Sequence, residues 1–194
     1  MDLGAHFGGK LNARRTARPR GLCARGNNAG GYDGRTMATD SRWKPSVTVA
    51  AVIEHGGRFL LVEEHTADGL RLNNPAGHLD PGESLLQAVV REVLEETACV
   101  FTPTHLVGTY LARQQRGVDD ATYLRFAFTG SVVAPEPGRA LDDGIVRTLW
   151  LTPAEIEASR DRHRSPLLWR CVQDHLAGRR YPLELLVTDA STSV

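Results

Sequence analysis

Apolar positions along the chain fall into short runs that begin near Pro45 and are separated by glycine, proline and polar clusters. Residues 46–54 (SVTVAAVIE) are apolar on both faces, the pattern of a strand buried on both sides. Gly56-Gly57 marks a hairpin turn, and residues 58–64 (RFLLVEE) return as a second strand. The chain then passes through Asn73-Asn74-Pro75 into a loop that turns at Pro81-Gly82. From Ser84 the period changes to that of a helix. Leu86, Val89, Val90, Val93 and Thr97 form an apolar stripe, and Ser84 with Gln87 three residues on has the spacing of a capping box.

Beyond this helix, residues 106–112 and 123–133 read as strands. The polar segment 114–121 between them is expected to be a loop, as is 135–143. Residues 147–151 (RTLWL) form a short strand. Thr152, Pro153 and Glu155 then carry the signature of a helix start. Ser165-Pro166 repeats that signal ahead of a final helix at 167–176, which Gly178 stops. Residues 181–187 are expected to be extended, and Trp150 and Trp169 to belong to the core.

Composition changes the picture mainly at the N-terminus. Residues 1–40 hold eight of the 19 glycines, seven of the 23 Lys/Arg and three of the 23 Asp/Glu. They read as a disordered basic tail or as the product of an upstream start, with Met37 a plausible true start. The ordered domain is placed at 41–188, with a frayed terminus at 189–194. Outside the tail 16 basic side chains face 20 acidic ones, a balance of −4 that argues against a nucleic-acid partner. Cys23, Cys99 and Cys171 form no disulfide framework or zinc pattern, which fits a reducing cytoplasm. No apolar run is long enough to span a membrane.

The candidate chemistry lies on the first helix. At about 100° per residue, Glu92, Glu95 and Glu96 share one face, about 120° around the axis from the apolar stripe. Like charges at these spacings repel by roughly 0.2–0.5 kcal/mol per pair. Three such carboxylates invite a hard cation, Mg²⁺ or alternatively Mn²⁺. A merely solvated acidic face is the competing reading, and it leaves Gly77 and Arg91 unexplained at their spacings. Arg91 is suited to pair with Glu83 and hold the loop against the helix.

The stretch Gly77, Glu83, Arg91, Glu92, Val93, Glu95, Glu96 resembles the Nudix box, with Ala98 where glycine is usual and Cys99 at the aliphatic place. Tyr123-Leu124-Arg125-Phe126, Arg164-Ser165-Pro166-Leu167 and Arg180-Tyr181-Pro182-Leu183-Glu184 extend the resemblance to the NudJ-type phosphatases of that superfamily, over roughly residues 45–187. The resemblance implies an α/β fold, an α/β/α sandwich around a mixed sheet with a loop–helix–loop catalytic motif. It implies Mg²⁺-dependent release of inorganic phosphate from nucleoside di- and triphosphates and thiamine-pathway pyrophosphates. It also implies that the Gly77 carbonyl joins the metal ligands Glu92, Glu95 and Glu96.

The general base stays open between Glu92 and Glu95 and, by analogy with some relatives, Glu136, Asp142 or Asp143. Asn74 and Arg125 are candidate substrate contacts, against the alternatives of a turn asparagine and an exposed strand charge. His78, next to the box glycine, is a weaker phosphate candidate. Leu72 stands where many relatives have an aromatic residue for ring stacking. Ala98 should cost about 1 kcal/mol at a left-handed helix exit. Two other functions are weighed. One is a pyrophosphohydrolase of sugar nucleotides or dinucleoside polyphosphates. The other is a non-catalytic nucleotide sensor, expected to lose box glutamates that this chain keeps. The partner is a small-molecule phosphoanhydride, and the protein a monomer or homodimer.

Overall fold

Period-two alternation along the first strand sets the architecture. In the computed structural model, which describes residues 43–116, 119–135 and 137–192, the chain runs β1 (Ser46–Val52), β2 (Glu54–His55), β3 (Arg58–Thr66), β4 (Gly69–Asn73), β5 (Ala76–His78), α1 (Leu85–Thr97), β6 (Phe101–Arg116), β7 (Asp119–Val132), β8 (Ile145–Leu151), α2 (Pro153–Ala158) and α3 (Leu167–Leu176). The expectations for residues 1–40 and for Glu136 fall outside the described residues. Val49 and Ala51 of β1 join one apolar cluster with Ala88, Val89 and Val93 of α1. Ala50 and Val52 join a second with Phe59, Leu61, Leu72, Ile156, Leu168 and Val172. The strand is therefore buried on both faces, between α1 on one side and a second sheet with α2 and α3 on the other.

The first sheet has the order β5-β1-β7-β6. β1 pairs parallel with β7 and antiparallel with β5, so the sheet is mixed, as expected. In the second sheet β3 pairs antiparallel with β2, β4 and β8. Thr48 of β1 stands between Arg125 of β7 and His78 of β5, and Tyr110 of β6 is the next partner of Arg125. Directly paired residues share a sheet face, so these four side chains form one row across the sheet.

Several boundaries differ from the expectation. Residues 114–116 and 119–121 are not a loop, because β6 and β7 continue as a long antiparallel ribbon with Arg116 opposite Asp119. The first strand ends at Val52, and Ile53 separates it from β2. β4 and β5 lie in a stretch that the periodicity left unassigned. The segment after Gly178 is not extended throughout: Tyr181 makes an isolated bridge to Leu106, and Leu183–Leu185 is a 3-10 turn. Residues Ala190–Thr192 form another such turn. Trp169 packs against the second cluster, whereas Trp150 is 37% exposed.

Both expected capping boxes form, at Ser84 with Gln87 and at Thr152 with Glu155. α1 ends at Ala98, whose φ of 57° is left-handed. Its buried face is Ala88, Val89, Glu92, Val93, Glu96 and Thr97. Leu86 and Val90 are only half-buried. The glutamate face is thus not free. Two of its three carboxylates lie under neighbouring structure.

Candidate active site

Arg91 fastens the loop to the helix. Its Nε and Nη2 donate to the two oxygens of Glu83 at 3.1 and 2.7 Å, a bidentate fork. Nη2 also donates to the His78 carbonyl at 2.9 Å. Nη1 lies 2.8 Å from Glu92 Oε1 and 3.1 Å from Glu95 Oε2. Glu83 in turn accepts from the Asp80 amide at 2.8 Å. The Arg91 guanidinium holds the Glu83 carboxyl below the usual range.

Gly77 brings β5 against the helix. A Cβ at Gly77 would overlap the Glu92 carboxylate, so a larger residue would displace that side chain from its present place. Next to it, the Ala76 amide donates to Glu96 Oε2 at 2.8 Å. Glu96 is 7% exposed. Burial pushes its carboxyl up to about 8, against the pull of the Ala76 amide. Burial also raises Glu92, with Arg91 opposing. Among the described residues no three His, Cys, Asp or Glu side chains converge as a ready metal cage. Arg91 lies between Glu92 and Glu95, and Glu95 remains 39% exposed at its side chain. The donors nevertheless suit a hard divalent cation. All are oxygens, Gly77 keeps the approach clear, and Glu96 is a buried carboxyl that Arg91 does not reach.

A cleft of about 440 Å³ opens beside these residues. Gly77, Glu92 and Glu96 line one side, and Asp142 and Asp143 line it from the loop before β8. The Asp142 amide donates to the Glu95 carbonyl at 2.9 Å, which ties that loop to α1. Arg125 also lines the cleft. It is not an exposed strand charge: it is 9% exposed, and its Nε and Nη1 have no partner. Burial lowers its pKa, against the opposing pull of Cys171 and Glu96.

One substrate expectation changes. Asn74 does not line the cleft, whereas its neighbour Asn73 does. Leu72 is fully buried in the second apolar cluster and cannot offer a stacking position. Of the rings at the cleft, His78 and Tyr123 have centroids 6.3 Å apart. Sequence reasoning also passed over Thr48. Its signal was a hydroxyl flanked by Val47 and Val49 in the run SVTVAAV. Glu64 and Arg164, an ion pair at the cleft, were likewise not singled out as site residues. Only the strand register brings their separate segments together.

The family model described as the NUDIX domain matches residues 42–169. The chain is 37% identical over 145 residues to "Phosphatase NudJ" of Escherichia coli K12, covering 74% of this chain and 92% of that protein. Among solved structures, a NUDIX hydrolase from Nitrosomonas europaea is 50% identical with a TM-score of 0.71, covering 75% of this chain and 98% of that one. A MutT NUDIX hydrolase from Burkholderia pseudomallei, at 17% identity and a TM-score of 0.56, shares the fold and covers 68% of this chain and 98% of its own.

Proposed function

Since the chain belongs to the Nudix hydrolases, which act on phosphoanhydrides with divalent metal ions, we propose that it is a Mg²⁺-dependent phosphatase of small-molecule di- and triphosphates, with Mn²⁺ as the alternative ion. The observation that carries the reading is Glu96, buried against the Ala76 amide beside Gly77 and Glu92. Such a carboxyl is poised to ionise when a cation arrives. Glu92, Glu95, Glu96 and the Gly77 carbonyl would hold the ion. A bound Mg²⁺ neutralises phosphate charge and acidifies a coordinated water.

The chain's own residues do the rest. Arg125 offers its unpartnered Nε and Nη1 to phosphate oxygens. Glu92, which lines the cleft, or Glu95 beside it would take the proton of an attacking water. Arg91 and Glu83 position the loop and helix and touch no substrate. The likeness to Phosphatase NudJ supports orthophosphate as the product. The same reading places the protein in the cytoplasm, in keeping with its free, buried Cys99 and Cys171.

The test is a phosphate-release assay with Mg²⁺ over thiamine pyrophosphate, nucleoside di- and triphosphates, and sugar nucleotides. Direct orthophosphate from the first two groups is expected. Phosphate seen only after adding a phosphatase would instead mark a pyrophosphohydrolase of nucleoside diphosphate derivatives. Glu96→Gln should lower turnover about a hundredfold or more. Full wild-type turnover in excess EDTA would overturn the metal reading.

A further inference from the structure

The cleft lies where the two sheets part, and buried polar atoms without a partner face it from both. On the first sheet, Arg125 has two buried donors without a partner, and Thr48 beside it has an unpartnered hydroxyl. On the second sheet, Asn73 Oδ1 and Glu64 Oε1 are buried acceptors without a partner. Asn73 is 4% exposed and Glu64 7%, and both line the cleft. Glu64 spends its other oxygen on Arg164. Leaving a buried acceptor unmade costs about 1–3 kcal/mol, so paired orphans on one wall point to an occupant that supplies donors. The apolar core stops at this point: Leu72, one residue before Asn73, is fully buried, whereas Asn73 turns to the cleft.

We propose that Asn73 and Glu64 determine specificity: they accept hydrogen bonds from the non-phosphate end of the substrate, which must therefore carry N–H or O–H donors. The inference rests on the hydrolase reading and names what that reading leaves open, the chemistry of the group to which the phosphates are attached. Such a group enters between the sheets with its phosphates toward Arg125 and Glu96 and its donor-bearing end toward β4 and β3. A bare polyphosphate or an alkyl pyrophosphate leaves both acceptors unpaired and gains nothing there.

The experiment compares two substrates in the full chain with Mg²⁺: guanosine diphosphate, whose base and ribose carry donors, and inorganic tripolyphosphate, which has no such end. The readout is the ratio of their kcat/KM values. Asn73→Leu, close in volume and lacking the acceptor, should lower that ratio about tenfold, the worth of one hydrogen bond in such a setting. Asn73→Asp, which keeps acceptor oxygens, should recover most of it. A ratio that holds in Asn73→Leu overturns the proposal, whether or not both rates fall, because a purely structural role depresses the two substrates together. Where Asn73→Leu does not fold, Glu64→Gln, whose oxygen stays with Arg164 and whose NH₂ replaces the Oε1 acceptor, gives the same readout with the same expectation. Should the wild type cleave neither compound, no rate ratio exists and a binding measurement takes its place. Calorimetric binding of guanosine monophosphate then decides the inference: a Kd raised about tenfold in Asn73→Leu supports it, and an unchanged Kd sinks it.

Discussion

Glu96 is a carboxyl whose fold works against its charge. Its pKa rises from 4.5 to about 8, chiefly through burial. Below about pH 4.5 the side chain is protonated in both folded and unfolded chains. Between 4.5 and about 8 the folded chain keeps a proton that the unfolded chain has released. The stability this proton confers is present at the acid end and is lost as pH rises through about 8. Urea unfolding of the metal-free protein from pH 5 to pH 8 should therefore show stability falling by a few kcal/mol, on the order given by linkage. Glu96→Gln should flatten that slope, and an equal slope in the variant would refute the assignment. The identity of the acidic cluster was legible because helical spacing groups Glu92, Glu95 and Glu96 on one face. Its burial was not, because the Ala76 amide that covers Glu96 lies 20 residues away in sequence. Likewise the choice between Asn73 and Asn74 depends on which way β4 faces, and two adjacent asparagines carry no pattern that decides it.

Helix α1 was the most legible element. Its capping box, its start and the pairing of Arg91 with Glu83 all follow from local spacing. Its exit carries a cost that can be measured. Ala98 sits at φ 57°, where a Cβ is disfavoured. Ala98→Gly should stabilise the protein by about 1 kcal/mol in chemical denaturation, with no change in metal dependence. A destabilisation would mean that the buried methyl group contributes more than the strain relieved. The tip of the β6–β7 ribbon was illegible for a different reason. Its polar residues give no alternating apolar signal, and its pairing is carried by the backbone ladder. The bidentate contact of Arg113 with Asp120, both bonds 2.6 Å, adds a cross-strand tie. Polar sequence was read as loop where partner strands, not apolar packing, fix the extended conformation.

At the scale of the described domain, the two sheets share a core and part at the cleft, so an occupant of the cleft is linked to the stability of both. At 100 times its Kd, a metal that binds only the folded chain adds about 2.7 kcal/mol. For a domain of this size that corresponds to a Tm rise of roughly 5–10 °C, which EDTA should reverse. An unchanged Tm across that concentration range would argue against a site built into the fold. The class of fold followed from the resemblance carried by Gly77, Glu83, Arg91, Glu92, Glu95 and Glu96. The two-sheet arrangement was not, since β3 meets β8 across more than eighty residues.

Arg91 carries a further consequence. Its guanidinium already sits against Glu83, Glu92 and Glu95, and so serves as a built-in counter-ion for most of the acidic face. The nascent chain need not wait for an ion from solution to close its loop onto α1, unlike small domains that remain unfolded until a metal is captured. On the proposed metal reading, an arriving cation would share Glu92 and Glu95 with Arg91, and that competition would favour exchange over permanent retention.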